Sequence, residues 1–204
     1  RLVGSEMCIR DRVLQQQIKA PIWGETKPYK KVEVTTSWDQ KKYKVQADPQ
    51  GKWKTEVVTP VAGGPYSITI SDGKKVKLSN VMIGEVWVCS GQSNMEMQVE
   101  GWGKVMNYQQ EKEEADNYPN IRFLLVEKAT SPLPINDIKA AGNGWQVCSS
   151  KSVADFSAAG YFFGRDLHKY QNVPIGLIDT SWGGTYIETW TSNCLLYTSP
   201  SPRD

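Results

Sequence analysis

The sequence has 204 residues, of which 39% are hydrophobic and 23% charged, with a formal net charge of +2. The apolar fraction excludes a wholly disordered chain, and the length is enough for one large domain or two small ones. No segment is apolar for long enough to span a bilayer, and so small a net charge gives no reason to expect nucleic acid as a partner.

The two ends of the chain differ from the rest. Residues 1–12 and 194–204 show neither the alternation nor the helical period of the sequence beside them. A nucleotide sequence that encodes the first segment has a reverse complement that encodes the last, which resembles a sequencing adapter read in both directions. We therefore expect both segments to be adapter-derived and the chain to be an internal fragment. Removing these 12 and 11 residues leaves 181, with a net charge of +1 and two cysteines, Cys89 and Cys148.

Short runs that alternate apolar and polar residues come first, at 32–36, 43–47, 53–57 and 66–70. Turn signals rich in Gly, Pro and Asp separate these runs. Period two predicts half-buried antiparallel strands, and their regular spacing predicts a small β-sandwich over residues 13–80. The lysines that alternate with the apolar positions are typical of a solvated face.

The pattern changes after residue 80. Three runs are almost continuously apolar, at 81–90, 121–126 and 173–179. Such runs are typical of a sheet that is covered on both faces. Helical segments alternate with them, so the order predicts an α/β domain with a parallel sheet over residues 81–193. Sheets of this kind place their chemistry at the carboxyl ends of the strands.

Two segments of this region read as helices. Asn107–Asn117 is polar, and its charge run Glu111–Asp116 predicts a solvated helix face. In Phe156–Tyr170, three- and four-residue steps predict an amphipathic helix. Its predicted apolar face consists of Phe156, Ala159, Phe163, Leu167 and Tyr170. The single histidine, His168, lies in the last turn, where a cation suits the helix dipole, so we assign it a surface or capping role.

Small polar residues follow the first apolar strand, in the sequence Ser90-Gly91-Gln92-Ser93-Asn94-Met95. A tight turn there can expose a serine hydroxyl beside backbone N–H groups, as an acyl-transfer nucleophile requires. Alone, the pattern favours an N-cap serine. Met95 stands where the nucleophile elbow of α/β-hydrolases has Gly, so that family is not indicated. A second turn, with Gly183 and Gly184, follows the third strand, and we expect both turns to meet in one crevice.

Residues 84–96 closely resemble the serine motif of the sialate O-acetylesterase family, a branch of the SGNH hydrolases. Residues 173–190 resemble the second conserved segment of that family, and the N-terminal part is similar to its β-domain. The resemblance covers essentially all of residues 13–193. It implies an α/β fold: a small N-terminal β-sandwich followed by the first half of a three-layer α/β/α SGNH-hydrolase domain with a parallel sheet. It also implies secretion or a periplasmic location.

The same resemblance implies a serine esterase that removes O-acetyl groups from sialic acid or related carbohydrates through an acetyl-serine intermediate, without a cofactor or metal. Ser93 would be the nucleophile. Its own N–H and that of a glycine in the Gly183-Gly184 turn would stabilise the oxyanion, while Gln92 and Asn94 would hold the serine turn. The family's Asp-x-x-His pair does not follow Gly184 here, so we expect this segment alone to be inactive.

Two alternatives stay open from the sequence. One is a non-catalytic carbohydrate-binding protein that uses the β-sandwich and exposed aromatic side chains. The other is an SGNH hydrolase that acts on another acyl ester, such as acetylated xylan. A downstream Asp-x-x-His pair would favour the enzyme, whose expected partner is an acetylated carbohydrate. The sequence leaves the oligomeric state unknown.

Overall fold

The computed structural model describes residues 11–131, 135, 138–142 and 144–191. The strands in this part of the chain are β1 (Val13–Gln15), β2 (Lys19–Glu25), β3 (Lys31–Thr36), β4 (Lys42–Gln46), β5 (Lys52–Val58), β6 (Gly63–Ser71), β7 (Lys75–Cys89), β8 (Ile121–Leu125), β9 (Gln146–Val147) and β10 (Ile175–Asp179). The helices are α1 (Ser93–Glu96), α2 (Tyr108–Ala115) and α3 (Ala158–Gln171), and a 3-10 turn spans Ile187–Trp190.

The N-terminal region is a β-sandwich, as predicted. Its larger layer contains β4, β3, β6 and the first half of β7, all antiparallel, and its smaller layer is the β2–β5 pair. Inward side chains from both layers, including Val34, Val57 and Ile70, form one buried core. The four predicted strands correspond to β3, β4, β5 and β6. The prediction missed β2, which contains Pro21, a residue more typical of turns. The proline is tolerated because β2 is an edge strand, with β5 paired to only one of its two edges.

Strand β7 belongs to both regions. Its first half pairs antiparallel with β6, and its second half pairs parallel with β10, which in turn pairs parallel with β8. The sheet order is therefore β4-β3-β6-β7-β10-β8-β9, and β1 also pairs with β7. This confirms the predicted α/β fold with parallel strands. The strand passes through residue 80, where Asn80 has a φ of 55° at an irregularity in the register of the β6 pairing, which continues to Ile83.

A polar cluster surrounds the side chain of Asn80. The Asp11 carboxylate accepts from Asn80 Nδ2 at 2.5 Å and lies 3.4 Å from Nη1 of the buried Arg122. The carbonyl oxygen of Arg12 accepts from the N–H of Met82 at 2.9 Å. Residues 11 and 12 therefore contact the sheet, while the adapter origin of residues 1–12 stays a prediction. Residues 1–10 and 194–204 lie outside the described residues.

Helix α3 packs on the sheet through a face that only partly matches the predicted one. Phe163 and Tyr170 are exposed, whereas Tyr161, Gly160 and Gly164 are buried. A Cβ added to Gly164 would lie 2.6 Å from Leu177 Cδ1, so the glycine permits the close approach of helix and sheet. The prediction is confirmed for Phe156 and Leu167, which lie in or against the core, and wrong for Ala159, Phe163 and Tyr170, which are exposed. Two glycines and a tyrosine complete the contact instead.

Helix α2 is also less solvated than predicted. Glu111 is buried, and its carboxylate accepts from Arg165 Nη1 of α3 at 2.5 Å. The prediction of a solvated Glu111–Asp116 face is therefore wrong for Glu111, because a partner on another helix compensates its charge. The sequence also predicted that the apolar run 81–90 is covered on both faces of the sheet. This is wrong for Trp87 and Val88, whose side chains are exposed.

Cys89 and Cys148 are both buried and free. Burial raises the pKa of the Cys89 thiol to about 11. Among the described residues, no helix combines the length and apolarity that crossing a membrane requires. No group of three His, Cys, Asp or Glu side chains in the same residues is placed to hold a metal ion.

Candidate active site

Three parallel strands end at the same level. Asp179 of β10 is in register with Cys89 of β7 on one side and with Leu125 of β8 on the other. The loops that follow these strands therefore leave the same edge of the sheet, which is where parallel sheets bind their ligands. This edge brings together the serine turn, the glycine turn and Lys128 of the loop after β8.

The serine turn is a sharp change from strand to helix. Gly91 has a φ of 139°, a conformation that favours glycine, and α1 begins two residues later at Ser93. The carbonyl oxygen of Gln92 accepts from the N–H groups of Met95 and Glu96 at 2.9 and 3.0 Å. Gln92 is the N-cap residue, so the N-cap interpretation of Ser93 is wrong. The Ser93 hydroxyl makes no hydrogen bond to any other described residue.

Backbone hydrogen bonds join the serine turn to the glycine turn. The N–H of Thr180 donates to the Cys89 carbonyl, and the N–H of Trp182 donates to the Gly91 carbonyl, both at 2.9 Å. Asp179 then fixes the start of the second turn, because its Oδ1 accepts from the N–H and hydroxyl of Ser181 at 2.9 and 2.5 Å. Burial raises the pKa of the Asp179 carboxyl.

Gly183 lies directly beside Ser93. A Cβ on Gly183 would lie 3.5 Å from Ser93 Oγ and 2.2 Å from Glu96 Oε2. The Glu96 carboxylate fills this space and accepts the Gly183 N–H at 2.6 Å. Gly184 has a φ of 77° with open space around it, and its N–H donates to no other described residue. Of the two glycine N–H groups, only that of Gly184 is thus available to a ligand.

Glu96 and Lys128 are site residues that the sequence did not reveal. The Lys128 ammonium donates to Glu96 Oε1 and lies 5.9 Å from the centre of the Trp182 ring. Lys128, followed by the Gly183 N–H, lowers the pKa of the Glu96 carboxyl. Glu96 lies three residues after Ser93, which is a signal of proximity. Lys128 is 32 residues further on, and only the strand order brings it to this edge.

Gln92 and Asn94 have exposed side chains that make no hydrogen bond to other described residues. Their predicted role in holding the turn stays a prediction. Ser157, which is fully buried, makes the contacts that tie α1 to α3. Its hydroxyl donates to the Met95 carbonyl at 2.5 Å and accepts the Gly160 N–H at 3.1 Å as the N-cap of α3.

His168 lies at the opposite edge of the sheet. Its Nδ1 is 2.7 Å from the carbonyl oxygen of Val173, which precedes β10, whereas Gly183 follows β10. The five residues of β10 rise about 16 Å, so His168 is far from Ser93. This agrees with the surface or capping role and gives Ser93 no histidine base within the described residues.

A family model described as carbohydrate esterase, sialic acid-specific acetylesterase, matches residues 83–200, more than half of the chain. The chain therefore belongs to the sialic acid-specific acetylesterase family of carbohydrate esterases. The match includes the serine turn, the glycine turn and Lys128.

Individual relatives agree with this assignment. The chain is 31% identical to the sialate O-acetylesterase of Mus musculus over 94% of this chain and 38% of the mouse protein. It is 31% identical to that of Homo sapiens over 95% of this chain and 39% of the human protein. A crystal structure of a carbohydrate acetylesterase from Xanthomonas citri superimposes with a TM-score of 0.84 at 31% identity, covering 95% of this chain and 43% of that one. The chain spans about two-fifths of the length of the curated relatives it matches.

Proposed function

We propose that this chain carries the nucleophile half of a serine esterase that removes O-acetyl groups from sialic acid or related carbohydrates. The observation that carries the proposal is the free Ser93 hydroxyl beside the glycine turn, at the carboxyl edge of a parallel sheet. Family membership and the printed names of the relatives support the substrate class.

In the proposed reaction, Ser93 Oγ attacks the acetyl carbonyl carbon and its proton passes to a base. The carbonyl oxygen becomes an oxyanion, which accepts from the N–H groups of Ser93 and Gly184. Collapse of this intermediate breaks the bond to the sugar oxygen, which takes up a proton and leaves as a hydroxyl. Water then attacks the acetyl-serine, releasing acetate and restoring the Ser93 hydroxyl. The described residues contain no histidine base at this edge, so we expect little activity from this segment alone.

The test uses the full reading frame that contains this segment, assayed with an aryl acetate and compared with Ser93→Ala. We expect Ser93→Ala to lose at least about 10³-fold in kcat. Ser90→Ala is the matched control, because Ser90 is an exposed serine of the same turn. Equal activity of Ser93→Ala and the unchanged enzyme would exclude Ser93 as the nucleophile.

A second measurement identifies the substrate within this class. Release of acetate from O-acetylated sialic acid and from acetylated xylan, measured side by side, distinguishes the sialate esterase from the alternative hydrolase. Binding of either carbohydrate without acetate release, in a full-length protein that lacks a late Asp-x-x-His pair, would favour the carbohydrate-binding alternative. Secretion or a periplasmic location, the prediction from the resemblance, is checked by fractionating the source cells.

A further inference from the structure

The Glu96 carboxylate connects the three loops of the site. It belongs to α1, three residues after Ser93, and its two oxygens contact groups from two other loops. Oε2 accepts the N–H of Gly183 in the loop after β10, and Oε1 accepts from Lys128 in the loop after β8. A single side chain thus adds to the backbone hydrogen bonds that hold the serine turn against the glycine turn.

The two glycine N–H groups of the turn differ in their partners. Glu96 accepts from Gly183, whereas the next N–H along the turn, that of Gly184, has no acceptor among the described residues. A carboxylate so close to a forming oxyanion would oppose it unless its charge were compensated. Lys128 supplies that compensation: its side chain is 48% exposed, and its ammonium pairs with the less exposed Glu96 carboxylate, of which 20% is exposed.

We propose that Glu96, held by Lys128, is a positioning residue for the esterase reaction: it secures the glycine turn so that the Gly184 N–H faces the oxyanion formed at Ser93. This inference rests on the proposed function. It assigns Glu96 no proton transfer and no contact with the substrate. Its effect is on the placement of a donor, and misplacing such a donor lowers kcat more than it raises KM.

The kinetic test compares variants in the full-length enzyme. We expect Glu96→Ala to lower kcat about 100-fold with little change in KM, which is the scale for one oxyanion donor. Glu96→Gln keeps an acceptor for Gly183 but loses the ion pair, so it should retain more kcat than Glu96→Ala. Lys128→Met should resemble Glu96→Gln for the same reason. Glu100→Ala is the matched control, because Glu100 pairs with Lys112 and not with the glycine turn.

A second readout does not depend on activity. In the 204-residue chain, hydrogen exchange measured by NMR should show a protected Gly183 N–H, and Glu96→Ala should remove that protection whereas Glu100→Ala should not. If Ser93→Ala is inactive but Glu96→Ala keeps full kcat, the positioning role is overturned and the esterase stands. If Ser93→Ala remains active, the proposed function fails, while the exchange data still decide the contact. Should Glu96→Ala fail to fold, unchanged kcat in Gly183→Ala, whose methyl group would displace the Glu96 carboxylate, would overturn the role.

Discussion

The N–H of Trp182 donates to the carbonyl oxygen of Gly91 at 2.9 Å, and this bond extends the pairing of β7 and β10 beyond the ends of both strands. The serine turn and the glycine turn are thereby held as one unit before any ligand arrives. Donors fixed in this way need no reorganisation when charge develops on a substrate.

The two glycines of the second turn should respond differently to alanine. Gly183→Ala places a methyl group 2.2 Å from Glu96 Oε2, so the carboxylate must leave its position. We expect kcat of the full-length enzyme to fall about as much as in Glu96→Ala, by about 100-fold. Gly184→Ala meets no atom within 4 Å but has a φ of 77°, so its strain should cost about 1 kcal/mol of stability. Steady-state kinetics and denaturant unfolding measure the two effects, and a harmless Gly183→Ala would contradict the first.

The contact face of α3 can be tested by stability alone. Gly164→Ala would bring a Cβ to 2.6 Å from Leu177 Cδ1, so we expect a loss of about 1–3 kcal/mol in the free energy of unfolding. Tyr170→Ala is the control, since Tyr170 is 89% exposed and should change stability by less than about 0.5 kcal/mol. If Tyr170→Ala cost more stability than Gly164→Ala in urea unfolding, the helix face predicted from the sequence would be supported.

The Glu111–Arg165 pair between α2 and α3 should be strongly coupled. Both side chains are more than four-fifths buried, so removing one partner leaves a buried charge with weaker compensation: Glu114 and Asp166 at 3.9 and 3.5 Å for Arg165, and the Asn107 amide for Glu111. We expect Arg165→Met and Glu111→Leu each to cost about 3 kcal/mol of stability. The double variant should cost much less than the sum of the two. Additive losses in a double-mutant cycle would show that the pair is not coupled.

Stability should depend on pH through Asp179. Burial raises the pKa of this carboxyl above its ordinary 3.8, so the folded state binds the proton more tightly than the unfolded state. The stabilisation from protonation is complete below 3.8 and is lost as the pH rises through the raised value. The neighbouring charges are Glu96, which adds to the shift, and Lys128, which opposes it.

We therefore expect the unchanged chain to lose stability relative to Asp179→Asn as the pH rises from about 3 to 7. Urea unfolding at several pH values measures the difference, and Asp155→Asn shows the effect of losing an exposed carboxylate. A constant difference across this range would mean that the folded and unfolded states titrate Asp179 alike.

Strand periodicity predicted most of the fold because each strand carries its own signal. The alternation at 53–57 and the apolar run at 121–126 became β5 and β8 almost unchanged. Part of the α3 face was predicted wrongly because Gly160 and Gly164 have no side chain and so give no hydrophobic signal. Their importance follows from the closeness of Leu177 and Cys89, which are distant in sequence.

The candidate site was likewise predicted only in part. Ser93 and the glycine pair follow apolar strands, so a local pattern was enough to select them. Lys128 lies in a loop with no distinctive composition, and it reaches Glu96 only because β10 lies between β7 and β8. The burial of Glu111 was missed for a similar reason, since its partner Arg165 is on another helix. Contacts across the sheet depend on topology, which a single sequence specifies only weakly.

The continuity of β7 limits how this protein can be recombined. A crossover at residue 80, the boundary that composition suggests, would divide a hydrogen-bonded strand whose far end carries the serine turn. A foreign N-terminal module would have to supply the β6 pairing as well as a compatible surface. The two regions are therefore expected to be inherited together, and exchange of modules would succeed only at joints that leave residues 75–89 intact.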